Sequence, residues 1–187
     1  NIDKPENIKI ARDSANFYAF VTNQLGNNLI KISFGNSMGN IPSYTSITDP
    51  LFNYNNGIDV QYDCALNKYF AVVASSNGNK INMVDFGSSL ANPGTIASSI
   101  PCISFPTGLD VIRDGNNWHI IVVGSFNKMQ NIRIPGNLLN TPQSIFNDTL
   151  GGLTDLTHLS ILKDSSKVFG FAIGSSPNKI ARYQWPD

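Results

Sequence analysis

The sequence predicts an all-β protein: a β-propeller, or an arc of one, of about four four-stranded antiparallel blades, the last lacking its outer strand. Three observations predict it. Asp13, Asp63, Asp114 and Asp164 recur at intervals of 50, 51 and 50 residues. Each follows a short apolar strand and precedes, after a turn, a denser apolar run. No stretch of a dozen residues keeps the apolar spacing of a helix. A repeat near fifty residues made of short strands is the signature of stacked blades.

The elements follow in order within each unit. The first strands are 8–10, 58–60, 109–111 and 159–161, each interrupted by a polar residue. The second, 17–21, 69–73, 118–123 and 168–173, are apolar at successive positions, which suits burial on both faces between sheets. The third open with Asn28-Leu29-Ile30, Asn79-Lys80-Ile81, Asn131-Ile132 and Asn178-Lys179-Ile180. They alternate, as in Ile81-Asn82-Met83-Val84-Asp85-Phe86, so they lie further out. The fourth follow Pro42, Pro93 and Pro142; the last unit ends at Asp187 before one. The units run about 7–56, 57–107, 108–157 and 158–187, a single propeller-repeat domain. Bare sheet faces at the ends of such an arc call for missing blades or other subunits. The chain opens on Asn1 rather than Met, and is expected to be part of a larger protein.

Composition narrows the partners. There are 13 basic and 13 acidic residues, and 14% of the chain is charged. Nucleic-acid binders carry a basic excess, so that class is excluded, as is a polybasic membrane anchor. No apolar run is long enough to insert into a membrane. The chain has 24 Asn and 19 Ser, a surface chemistry that points to a secreted, cell-surface or virion setting. Cys64 lies in a first-to-second-strand turn and Cys102 in a connection between units, at opposite ends of a blade. They are expected to stay free thiols. A lone sequon, Asn147-Asp148-Thr149, is expected by chance in so Asn-rich a chain.

The run Gly57-Ile58-Asp59-Val60, Asp63, then Tyr69 to Val73 and Asn79-Lys80-Ile81, resembles an NHL-type propeller repeat. Gly108-Leu109-Asp110-Val111, Asp114 and Trp118 repeat it. The endings Phe34 to Ser37 and Phe86 to Ser89 are similar to repeats in secreted surface proteins of Bacteroidetes and related phage proteins. The resemblance implies a scaffold for binding and assigns no activity.

Two sets of residues are candidates for function. In a meander blade, the second-to-third-strand turns and the connections between blades share one face, and loops on a rigid scaffold carry binding residues. That face holds Phe52, Tyr54, Phe105 and Phe126, with Asn53 and Asn127 beside them; aromatic rings flanked by amides suit a sugar. The alternative is that these aromatics pack into blade interfaces. The second set, Lys9, Asp59, Asp110 and Ser160, occupies one register of the innermost strands. It could line a central channel and take Ca²⁺ or a polar ligand, or bond the backbone of the neighbouring blade. Asp13, Asp63, Asp114 and Asp164 are expected to cap their own turns. His119 and His158 lack metal-ligand spacing, no catalytic set is legible, and no cofactor beyond possible Ca²⁺ is expected. The sequence therefore suggests a non-catalytic binding or structural module, not an enzyme, presenting a loop face to a glycan or protein. The alternatives are a hydrolase or lactonase-like propeller with a metal- or acid-lined channel, and a purely architectural subunit-docking module.

Overall fold

The computed structural model describes residues 2–148, 153–165, 167–176 and 178–185. The sequon therefore runs out of the described residues at Thr149. The first blade comprises β1 (Pro5–Asp13), β2 (Asn16–Asn23), β3 (Asn28–Gly35) and β4 (Ser43–Thr48). The second comprises β5 (Asn55–Asp63), β6 (Lys68–Ser75), β7 (Lys80–Asp85) and β8 (Thr95–Pro101). The third has β9 (Pro106–Asp114), β10 (Asn117–Gly124), β11 (Lys128–Pro135) and β12 (Ser144–Asp148). The fourth has β13 (Thr154–Asp164), β14 (Lys167–Ser176) and β15 (Asn178–Trp185). Each sheet is an antiparallel meander in chain order, the fourth with three strands. The expected fold class is the one observed.

Each interface between blades is an apolar layer supplied by both sheets. Phe20, Leu29, Ile47 and Phe52 meet Ile58, Val73, Phe86 and Leu90 between the first two blades. Phe70, Val72, Ile81 and Met83 meet Leu109, Trp118, Ile120 and Leu138 between the second and third. Ile121, Val123 and Met129 meet Leu153, Leu156 and Ala172 between the third and fourth. The second strands feed two layers at once, which explains their unbroken apolar runs. Each large side chain so buried contributes roughly 1.5–3 kcal/mol.

Polar joints fix the blades in register. Leu90 N donates to Asp13 Oδ2 at 2.8 Å, and Leu138 N donates to Asp63 Oδ2 at 2.7 Å. The acid belongs to one blade and the amide to the hairpin between the third and fourth strands of the next. Asp63 also caps its own turn as expected, accepting from Ala65 N at 2.9 Å. Asp13 instead takes the Ser89 hydroxyl. The hairpins are shaped alike, with Asn40, Asn92 and Asn140 Nδ2 donating to the carbonyls of Phe34, Phe86 and Pro135. Lys31 adds another joint: its buried ammonium donates to the carbonyls of Leu90, Ala91 and Asn92 at 3.0, 3.2 and 2.7 Å.

Nearest the axis the first strands nearly touch. A β-carbon on Gly57 would lie 2.7 Å from Leu109 N, and one on Gly108 would lie 3.0 Å from His158 Cα. Only glycine permits this approach. At the open faces the counterparts of buried residues are exposed. Ile8, Ile10 and Tyr44 in the first blade occupy the registers of Ile58, Val60 and Ile96, which pack on a preceding blade. Phe171 and Ile173 in the fourth occupy those of Ile121 and Val123. Met38, at the hairpin position of Leu90 and Leu138, is 44% exposed where they are fully buried. Both cysteines are free, as expected. Among the described residues no helix is long and apolar enough to cross a membrane.

Candidate functional site

The strands β1, β5, β9 and β13 meet one another across successive blades and so line the axis. Three of the four channel candidates come together there. Lys9 Nζ lies 2.6 Å from Asp59 Oδ1. Asp59 also accepts from Val60 N and Gln61 Nε2 at 2.8 Å each and from Val111 N at 3.0 Å. Asp110 accepts from Val111 N at 3.0 Å and from Ile161 N at 2.7 Å. Each carboxylate thus bonds the inner strand of the following blade. Burial, and then the charge of Asp59, push the Asp110 carboxyl up to about 6. Ser160 holds the same register of β13 and is exposed. Among the described residues no group of three or more His, Cys, Asp or Glu is placed to hold a metal.

The mouth of the axis is built by one device used four times. Lys4, Tyr54, Phe105 and Asp155 precede or open the inner strands with φ of 59°, 63°, 50° and 50°. Register shifts follow between Pro5 and Asn7, Asn55 and Ile58, and Leu156 and His158, and at Gly124 opposite Pro106. Bulges of this kind re-aim side chains at the rim of a sheet. The bulge in β1 carries Glu6, the only glutamate in the sequence. Its carboxylate is 3.2 Å from Lys4 Nζ. Among the described residues, Glu6, Asn7 and His158 are the polar groups lining a cavity of about 510 Å³ between the first and fourth blades, with Ile2, Pro5, Ile8 and Val21 its apolar wall.

Of the loop-face candidates, three gather on the third blade. Phe105 and Phe126 are both exposed and meet edge to face, 6.4 Å between centroids and 75° between planes; Asn127 follows directly. Beside them opens a cleft of about 470 Å³ lined by Cys102, Ile103, Ser104, Lys128, Met129, Gln130 and Asn147. Burial pushes the Cys102 thiol up to about 12, so it stays protonated. Tyr54 and Asn53 lie on the second blade, where Lys4 Nζ stands 5.5 Å over the Tyr54 ring. Phe52 requires a correction: at 3% exposure it fills the layer between the first two blades, and its ring is closed to any ligand. Glu6, Ser104, Lys128 and Gln130 join the candidates only through the structure. Glu6 had one available signal, a lone Glu among twelve Asp.

No family model and no curated protein matches the sequence. Solved structures match its fold over nearly its whole length. The catalytic domain of a GH62 α-L-arabinofuranosidase from Coprinopsis cinerea has a TM-score of 0.68 at 15% identity, covering 99% of this chain and 65% of that one. An exo-β-1,3-galactanase from Clostridium thermocellum has a TM-score of 0.70 at 11% identity, covering 97% and 46%. An exo-β-1,3-galactanase from Phanerochaete chrysosporium, solved with β-1,3-galactotriose, has a TM-score of 0.67 at 14% identity, covering 96% and 46%. The chain thus spans about half to two thirds of the length of these relatives in shape. At such identities the likeness is one of fold, that of a β-propeller. It corrects two expectations, the non-catalytic module and the absence of enzymatic activity, because these chains are glycoside hydrolases and one is expressly a catalytic domain.

Proposed function

We propose that the protein is the propeller part of an extracellular glycan-cleaving enzyme whose reaction takes place at the mouth of the axis. The observation that carries this reading is Glu6, raised on a bulge of the innermost strand beside a cavity, on a scaffold shared with glycoside hydrolases. Apolar cavities with a few convergent polar groups are the usual form of a substrate site. Glycosidic cleavage uses two carboxyl groups about 5–10 Å apart, one to protonate the leaving oxygen and one to act as nucleophile or to activate water. Glu6 is the candidate for one role. Asp155, three residues before His158 on the blade that borders the cavity from the other side, is the candidate for the second. Asn7 and His158 are available to bond sugar hydroxyls. Asp59 and Asp110 act differently: their oxygens are engaged by backbone amides of the neighbouring blade, so they position the strands that carry the site. The sparse charge and the wealth of Asn and Ser support an extracellular setting.

The test is turnover of aryl α-L-arabinofuranosides and of β-1,3-galacto-oligosaccharides. Glu6→Gln should lower kcat by about a hundredfold or more, in the range of a lost general acid or base, with the fold intact by circular dichroism. Absence of turnover in the native chain, or full activity in the variant, refutes the assignment.

A further inference from the structure

We infer that the cleft on the third blade is a second carbohydrate site, one that holds a neutral oligosaccharide chain by stacking and amide contacts. The inference rests on the proposed function only for the class of ligand. Among the described residues the cleft shares none of its lining with the axial cavity, and its volume of about 470 Å³ falls within the roughly 300–1,000 Å³ of ordinary ligand pockets.

The aromatic pair supplies a platform. Phe126 is 66% exposed, and Phe105 meets it edge-on, so the platform is a built pair rather than a single stray ring. A rigid exposed ring offers its face to the C–H side of a sugar. Phe126 and Asn127, which lie outside the device that opens the inner strands, both have positive φ, at 66° and 60°. Bulky residues adopt that conformation seldom, and such outliers cluster at ligand sites.

The polar wall matches hydroxyl groups. Gln130 is nearly buried and fixed at both ends of its amide. Its Oε1 accepts from Ile103 N at 3.2 Å, and its Nε2 donates to Asn147 Oδ1 at 2.8 Å. That bond orients the Asn147 amide and leaves its NH₂ for a hydroxyl. Ser104 and Lys128 add further polar heads. Among the described lining residues the polar groups are two amides, a hydroxyl, a protonated thiol and one ammonium, so most of the hydrogen bonds the wall can offer come from neutral groups, the kind that sugar hydroxyls accept and return.

Calorimetric titration of the Glu6→Gln chain with β-1,3-galactotriose and with an arabinotriose isolates binding from hydrolysis. At least one probe should bind, and Phe126→Ala should weaken it about tenfold, the loss of one stacked ring. Gln130→Ala should weaken it comparably, while turnover of a small aryl glycoside by Phe126→Ala in the native background stays unchanged. Phe126 is exposed, so its truncation leaves the core whole. Undiminished affinity in Phe126→Ala, no binding of either neutral probe, or binding of polygalacturonate alone overturns the inference. Failure of the Glu6 assignment would appear only in turnover and leave this result standing.

Discussion

Asp110 accepts backbone N–H groups from its own strand and from the next blade, yet its carboxyl is pushed up to about 6 from an ordinary 3.8. Burial and the nearby Asp59 charge outweigh those donors. A carboxyl raised on folding binds its proton more tightly in the native chain. Its stabilisation is complete below about pH 4 and is lost as pH rises through about 6. The urea midpoint should therefore fall between those values, and Asp110→Asn should flatten that part of the profile. An unchanged slope in the variant would remove Asp110 as its source. What was legible at this scale depended on comparing units. Phe52, Ile103 and Leu153 share one repeat position and are all buried, so aligning the units held a signal for Phe52 as core, although its place in a connecting loop suggested a ligand contact. Tyr54 and Phe105 align instead with Lys4 and Asp155, two charged residues that mark a surface position. The second oxygen of Asp63 was beyond sequence reasoning, because its partner lies 75 residues away in another blade.

The hairpin between the third and fourth strands shows how one element changes value with its surroundings. Leu90 and Met38 occupy the same place in the same turn, but only Leu90 has a sheet to enter. Leu90→Ala should cost about 2–5 kcal/mol, as for other fully buried leucines. Met38→Ala should stay within about 0.5 kcal/mol, the usual range for a surface site. Chemical denaturation of both variants measures the contrast, and equal losses would contradict the blade order. The recurring Gly and Asn of the hairpin were visible in sequence as turn formers. Their part in joining blades was not, because a turn motif fixes its own backbone and says nothing of what docks on it.

For the molecule as a whole, the fifty-residue beat was enough to give the blades, their strand order and the loop-bearing face. The axial site was harder to read. Glu6 gains its meaning from a bulge and from the approach of the fourth blade to the first, and both are long-range features. The same geometry leaves Ile8, Ile10 and Tyr44 at one end of the arc and Phe171 and Ile173 at the other in contact with solvent. Apolar faces of this kind promote association. Sedimentation of the 187-residue chain should give a mass that grows with concentration above 20.4 kDa, and Ile10→Glu should reduce that growth. A constant monomer mass at every concentration would contradict it.

The acid-to-amide joint runs one way where it occurs, from Asp13 and Asp63 to the leucine amide of the following unit. A duplicated stretch of about fifty residues therefore arrives with both halves of the fastening, ready to engage its neighbours upstream and down. Inheritance can lengthen or shorten such a ring in whole steps.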